Sequence, residues 1–319
     1  MTGARRFVEY LRTIGIAPQP KLPKEPRLIL GYREYMIDHR GISEKTLRYY
    51  ATHIKRFLIE LGDRPKFFTT NGVRAFILAQ TRLGKGLSFT QSVVKSTRSF
   101  LRYLSAQRVC TPGLENAVPK VARWRLSSLP RYLPATDIRK LVIGCNVRTE
   151  IGARDRAILL LMSQLGLRAG DIRVLKLGDI DWKRSTVTVS GKSARQVRLP
   201  LPQESGDALL RYVTRFRPRI TSEIIFLCCQ TPIRPFSPSS VSAAIRQCFV
   251  RAGIKSPTQG GHCLRHSAAT QMLRDGASLQ DVAAMLRHAS LETTMLYAKV
   301  DVTALQQISQ SWPEVSSCL

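Results

Sequence analysis

Acidic side chains are scarce in this chain. Only 22 Asp and Glu stand against 50 Lys and Arg, a formal net charge of +28 over 319 residues. That imbalance disfavours cationic partners and suits a polyanion, whose condensed counterions are released when lysines and arginines replace them. Long apolar runs are also missing. The longest, Ala157 to Met162, is far below the roughly 18–20 residues that a membrane-spanning helix needs. The opening residues, MTGARRFVEYLRTIG, carry charges where a secretion signal needs an apolar stretch. These absences lead us to expect a soluble, cytoplasmic chain with no membrane partner. Paired cysteines are lacking too. The seven cysteines, at 110, 145, 228, 229, 248, 263 and 318, are odd in number and form no CxxC pair. This excludes a disulfide framework and a zinc knuckle, and leaves reduced, mostly buried thiols.

What is present is basic along its whole length. Residues 1–134 carry 25 basic and 8 acidic side chains, the remainder 25 and 14. A membrane-surface protein would gather that charge on one amphipathic helix. Its spread instead suits a chain whose two halves both lie against nucleic acid.

Apolar periodicity divides the chain. In SEKTLRYYATHIKRFLIELG, Leu47, Tyr50, Ile54, Phe57, Leu58 and Leu61 recur every three or four residues, between a capping Ser43 and a terminating Gly62. Lys45, Arg48, Lys55 and Arg56 fall on the opposite face. Similar spacing runs through LILGYREYMIDHR, TTNGVRAFILAQTRL and SFTQSVVKSTRSFLRYLSAQR, so a small bundle of four helices is expected over residues 27–110, after an N-terminal extension, 1–26. Residues 111–134, rich in proline, read as a linker. A second domain, 135–319, opens with helices in ATDIRKLVIGC and GARDRAILLLMSQLGL, the latter leading to Arg168. It then changes period: STVTVSGKSARQVRLPLP alternates apolar and polar residues on both sides of GKSARQ, a β-hairpin signal. A helix in ESGDALLRYVTRF, a strand-like IIFLCC and further helices follow. The expected class is mainly α with a small antiparallel sheet (α+β).

The tripeptide Gly191-Lys192-Ser193 imitates the end of a phosphate-binding Walker loop. The required glycine five positions before Gly191 is absent, since position 186 is Thr, and the hairpin context is wrong. Lys192 taken alone is an exposed lysine. GHCLRHSAAT, residues 261–270, is richer: it sets two histidines and an arginine on one turn of a helix. A zinc reading of His262 and His266 lacks the glutamate of HExxH, and an arginine beside the ligands would repel the metal. His262 and Arg265 instead project together near a helix start, where backbone N–H groups favour an anion. His288 closes a second helix, SLQDVAAMLRH, with Ser278 and Asp281 as its capping box. Tyr297 follows in SLETTMLYAKV. Each of these residues read singly has an ordinary structural explanation.

Together, Arg168, Lys192, His262, Arg265, His288 and Tyr297 resemble the catalytic series of the tyrosine recombinases, the phage-integrase family. GHCLRHSAAT resembles the family's H-x-L-R-H box, LRHASLETTMLYAK its box ending in the tyrosine, and GLRAGDI its first arginine box, with a hairpin lysine between. The motif resemblance covers residues 135–300, and the architecture extends it over 27–125. It implies an N-terminal four-helix, SAM-like core-binding domain and a C-terminal catalytic domain that together clamp duplex DNA. It also implies a homo-tetramer on paired sites, with companion recombinases in some systems, in a bacterial cytoplasm at the nucleoid.

The chemistry that this resemblance implies is metal-free and cofactor-free. Two arginines bind the nonbridging oxygens of a phosphodiester, where charge grows during attack. Tyr297 is the nucleophile, a phenol of pKa about 10 that needs cationic surroundings and a proton acceptor. His262 moves that proton, His288 binds the phosphate, and Lys192 protonates the departing 5′-oxygen. Asp171 and His266 are expected as supports. The 3′-phosphotyrosyl bond is then resealed by another strand, for integration, transposition or resolution. Two departures stand out: Arg287, where the family usually has glycine, and Ala169 with Asp171 after the first arginine.

Overall fold

A computed structural model of the full chain describes residues 3–18, 25–84, 86–121, 130–190, 196–256, 258–288 and 290–298. The chain divides into two compact units, residues 1–124 and 125–319. In the first unit, α1 (Gly3–Thr13) precedes α2 (Arg27–Arg40), α3 (Glu44–Leu61), α4 (Thr70–Arg82) and α5 (Leu87–Ala106). Helices α2 to α5 enclose one core, built where the apolar periodicity predicts it: Tyr32, Ile54, Phe57, Phe76, Phe100 and Leu104 are fully buried. Phe57 meets Phe68, Phe76 and Phe100 edge-on, the arrangement that the quadrupoles of aromatic rings favour. Ser43 and Gly62 occupy the two cap positions of α3, but the Ser43 hydroxyl makes no capping bond to the backbone and meets the Thr46 hydroxyl instead. Lys45, Arg48 and Lys55 are exposed, with Arg48 on Glu44 and Lys55 on Glu25.

The proline-rich stretch is only in part a linker. Leu114–Ala117 forms a short 3-10 turn, and Leu114, Ala117 and Val118 are buried in the first core. Arg98 reinforces this by donating to the carbonyls of Val118 and Pro119. At its other end Leu133 belongs to the second core, where its N–H donates to the Ser267 hydroxyl at 2.7 Å. Burying three apolar side chains outweighs the preference of proline for open chain, so the folded first unit reaches at least Val118.

The second unit is organised around α7 (Glu150–Gln164), in which Ala153 to Ser163 are buried except for half-buried Arg156. A helix apolar on nearly every face must sit inside its neighbours. They are α6 (Ala135–Ile143), α9 (Gln203–Arg211), α10 (Pro238–Arg251) and α11 (Gly261–Arg274). The buried carboxylate of α7, Asp155, is satisfied by Arg154 at 2.8 Å and Arg251 at 2.6 Å. Between α7 and α9 lie α8 (Ala169–Val174) and a three-stranded antiparallel sheet: β1 (Ile180–Asp181), β2 (Thr186–Ser190) and β3 (Gln196–Pro200), in that order. Val187 opposes Leu199 and Val189 opposes Val197, so the buried face of the hairpin joins the core, as the alternation predicts.

Two local readings change. The IIFLCC segment is no strand: it makes isolated bridges, Lys176 with Ile224 and Leu227 with Pro235, while Ile225, Phe226 and Leu227 are buried. Its short apolar run serves burial rather than pairing. Arg168 does not end a helix either; α7 stops at Gln164, Gly166 turns with φ +60°, and Arg168 is the N-cap of α8. No helix among the described residues is long and apolar enough to cross a membrane.

Close packing around α7 sets the first prediction. A Cβ at Gly152 would lie 1.9 Å from the Asn146 carbonyl oxygen, which is backbone and has no freedom to retreat, whereas a Cβ at Gly206 in α9 meets only Leu201, at 3.6 Å. Gly152→Ala should lose roughly 1–3 kcal/mol or more of stability through overpacking. Gly206→Ala should gain about 0.5–1 kcal/mol from helix propensity. Urea unfolding curves of the two variants should therefore move in opposite directions.

Candidate active site

Five chain segments of the second unit converge where the sequence motifs meet. The turn before α8 supplies Arg168, and α8 itself supplies Asp171. Helix α11 supplies His262, Arg265 and His266. Arg287 and His288 follow α12 (Leu279–Leu286), and Tyr297 lies in α13 (Met295–Ala298). The capping box expected for α12 is present: the Ser278 hydroxyl accepts from the Asp281 N–H, and the Asp281 carboxylate accepts from the Ser278 N–H.

Arg265 is the anchor. It is 4% exposed, and its two terminal nitrogens donate to the carbonyls of Gly166 and Leu286. Both acceptors are neutral, so the cation is held in place without being neutralised. Burial, reinforced by Arg168 and Arg287, pulls Arg265 down to about 10. Arg168 is lowered chiefly by burial, with Arg287 adding repulsion and Asp171 opposing it. One Arg168 terminal nitrogen donates to the Arg287 carbonyl at 3.4 Å. The Asp171 carboxylate accepts from the Arg168 backbone N–H at 2.8 Å and from Arg287 at 2.5 Å. Asp171 thus links the arginine turn to Arg287.

The Tyr297 side chain is 2% exposed, and its hydroxyl lies 2.8 Å from Nδ1 of His266. Burial raises the phenol above its ordinary value, while Arg265 and Arg168 act the other way. Burial also lowers His266, helped by His262 and Arg265. A protonated phenol therefore faces a neutral imidazole that can receive its proton. The sequence reading gives this place to His262 and treats His266 as a support. In the structure His262 is exposed, one turn away, with its ring 6.5 Å from that of His266. His288 stacks parallel to Tyr297 at 6.4 Å, and its Nδ1 is engaged by the Thr294 hydroxyl at 2.7 Å. Burial, then Arg265 and Arg168, pushes His288 down to about 4.

Lys192 lies outside the described residues. Cys263 is buried packing, 2% exposed. Sequence reasoning missed Thr294, which is fully buried and fixes the His288 ring; its signal is the second threonine of the TTMLY segment, three residues before the tyrosine. It missed the two carbonyls that hold Arg265, since backbone acceptors carry no side-chain signature. No cluster of three or more His, Cys, Asp or Glu capable of holding a metal occurs among the described residues.

Arg287 has the unusual geometry. It ends α12 in the left-handed region, φ 54° and ψ 51°, at a cost of about 1–2 kcal/mol for a residue with a Cβ. Its side chain is 5% exposed, and Nε and Nη1 have no hydrogen-bond partner among the described residues.

The fold is that of solved tyrosine recombinases. The chain superposes on the XerH site-specific recombinase bound to its palindromic difH substrate with a TM-score of 0.69, at 18% identity, covering 95% of this chain and 92% of that one. With a lambda integrase dimer bound to a core site the TM-score is 0.66 at 20% identity, covering 90% and 98%. In sequence it is 37% identical to y4rA of Sinorhizobium fredii, whose name places it among integrases and recombinases, over 97% of this chain and 78% of that protein. It is 26% identical to the tyrosine recombinase XerD of Listeria innocua serovar 6a, over 88% and 96%. Residues 131–303 match the family described as "Phage integrase family". The chain belongs to this phage integrase family, the tyrosine-type site-specific recombinases.

The buried histidine gives a pH prediction. His288 falls from an ordinary 6.5 to about 4 in the folded chain, so the unfolded chain binds the extra proton between those values. Its contribution to stability should be complete above pH 6.5, decline as pH falls, and be gone below about 4. The ring resonances of His288 should titrate near pH 4 by NMR, and His288→Asn should flatten the loss of stability between pH 6.5 and 4.

Proposed function

We propose that the chain cuts and reseals DNA one strand at a time at specific sites, through a covalent bond between Tyr297 and the 3′-phosphate. The observation that carries this reading is a buried phenol, hydrogen-bonded to His266, beside the anchored and uncompensated guanidinium of Arg265. Such a site suits an anion with several oxygens, and the basic excess of both halves of the chain suits a nucleic-acid backbone.

Arg265 and Arg168 hold the nonbridging oxygens as charge develops on them. The Tyr297 oxygen attacks phosphorus, and its proton passes to His266, the imidazole in contact with it, with His262 beside that ring to relay it outward. With Nδ1 committed to Thr294, His288 keeps Nε2 for a phosphate oxygen. As the P–O bond to the 5′-oxygen breaks, Lys192 donates the proton that the leaving group needs. Attack by a 5′-hydroxyl reverses these steps and restores the phosphodiester. One phosphate ester is exchanged for another, so no external energy source enters the balance.

The first unit is the core-binding domain and the second the catalytic domain in this reading. Four copies act on two paired sites, alone or with companion recombinases, at the nucleoid of a bacterial cytoplasm. DNA is the partner, and the outcome is integration, transposition or resolution.

Incubating the full chain with end-labelled, nicked duplexes of randomised sequence tests this directly. Detergent-resistant protein–DNA adducts should form with the native chain, persist in EDTA and be absent with Tyr297→Phe. Arg265→Ala should slow adduct formation by roughly 10²- to 10³-fold, the scale for removing one donor to a developing oxyanion. Retention of DNA without any adduct from the native chain would make this a binding protein rather than a recombinase.

A further inference from the structure

Arg287 directs a third guanidinium into the site. Its carbonyl accepts from Arg168, its neighbour Leu286 supplies a carbonyl to Arg265, and its own Nη2 binds Asp171. Of three buried or half-buried guanidiniums gathered here, only that of Arg287 is bonded to a carboxylate; those of Arg168 and Arg265 donate to backbone carbonyls. Asp171 also accepts from the Arg168 backbone N–H, so it does not depend on Arg287 alone. A role as counter-ion to Asp171 uses one nitrogen of Arg287 and leaves Nε and Nη1 buried without acceptors among the described residues.

The backbone strengthens the case. Position 287 is a left-handed helix end that glycine would occupy without strain. An arginine there accepts that strain and also loses its hydration. Both penalties are offset when an anion reaches the unused donors.

We propose that Arg287 is a third phosphate-binding residue: Nη2 stays on Asp171 while Nε and Nη1 donate to oxygens of the phosphate held by Arg168 and Arg265. This rests on reading the site as a phosphate clamp. Asp171 then acts as the brace that keeps Arg287 turned inward. No bond is made or broken in this step, and the surplus positive charge of the cluster is balanced by the bound phosphate.

Inorganic phosphate is the probe, titrated calorimetrically into the full chain at fixed ionic strength. Arg287→Gly should weaken phosphate binding by roughly 10- to 100-fold, the scale of charge-assisted hydrogen bonds, with Arg287→Lys intermediate. Thermal stability of the glycine variant without phosphate should be unchanged or higher, because the backbone strain is relieved. On the native chain, the Nε–H resonance of Arg287 should shift as phosphate saturates, a readout independent of whether any variant folds. Unchanged affinity in Arg287→Gly, or an Nε–H signal that does not move, would overturn the proposal. If Arg265→Ala abolishes binding while Arg287→Gly does not, the clamp stands and only the third arginine falls. A native chain that binds no phosphate overturns both.

Discussion

Everything at the site hangs on how Arg265 is buried. An arginine with 4% of its surface exposed is expensive, and the usual remedy is a carboxylate. Here the remedy is two backbone carbonyls, from Gly166 and Leu286. Those contacts tie the turn before α8 to the end of α12, the two segments that bear Arg168 and Arg287. The anchor also explains the tight fit at Gly166, where a Cβ would lie 2.4 Å from the Leu286 side chain. Position and charge are thereby separated: the carbonyls fix the geometry and leave the cation with its attraction for an anion unspent.

The unspent charge shapes the neighbouring groups. His288 and His266 are both disfavoured as cations, first by burial and then by the positive groups around them. At neutral pH they are acceptors rather than further charges. Tyr297 is pulled in both directions, since burial favours the phenol and the two arginines favour the phenolate. Tyr297 therefore rests as a phenol against the neutral imidazole of His266.

Much of this was legible in the sequence because it follows from periodicity and residue type. The four-helix core around Phe57, the hairpin pairing Val187 with Leu199, and the capping box at Ser278 all rest on local rules that tertiary contacts did not override. The convergence of Arg168, Arg265, His288 and Tyr297 was legible from motif order. What escaped depends on three-dimensional detail. Whether His262 or His266 meets the phenol turns on the direction of α11 relative to α13, which spacing along one helix does not contain. The end of the first unit was obscured because prolines suggest open chain while Leu114 and Val118 can still be buried. Arg287 was visible as a departure, but only the fold shows its side chain turned inward onto Asp171.

Binding of a phosphate should change this balance in a definite direction. An anion between the arginines cancels part of the field that holds His266 neutral, so the imidazole becomes a stronger base when substrate is present. The same cancellation makes the phenol harder to ionise on its own. In the proposed reaction free tyrosinate is therefore disfavoured in the complex, and deprotonation accompanies attack, with the proton moving along the 2.8 Å contact to His266 as the bond to phosphorus forms. A site that ionised its tyrosine before DNA arrived would expose a reactive phenolate to no purpose. In the proposed reaction, coupling the proton to the phosphate confines nucleophilicity to the bound state, and it draws on the anchored Arg265, the neutral His266 and the burial of Tyr297.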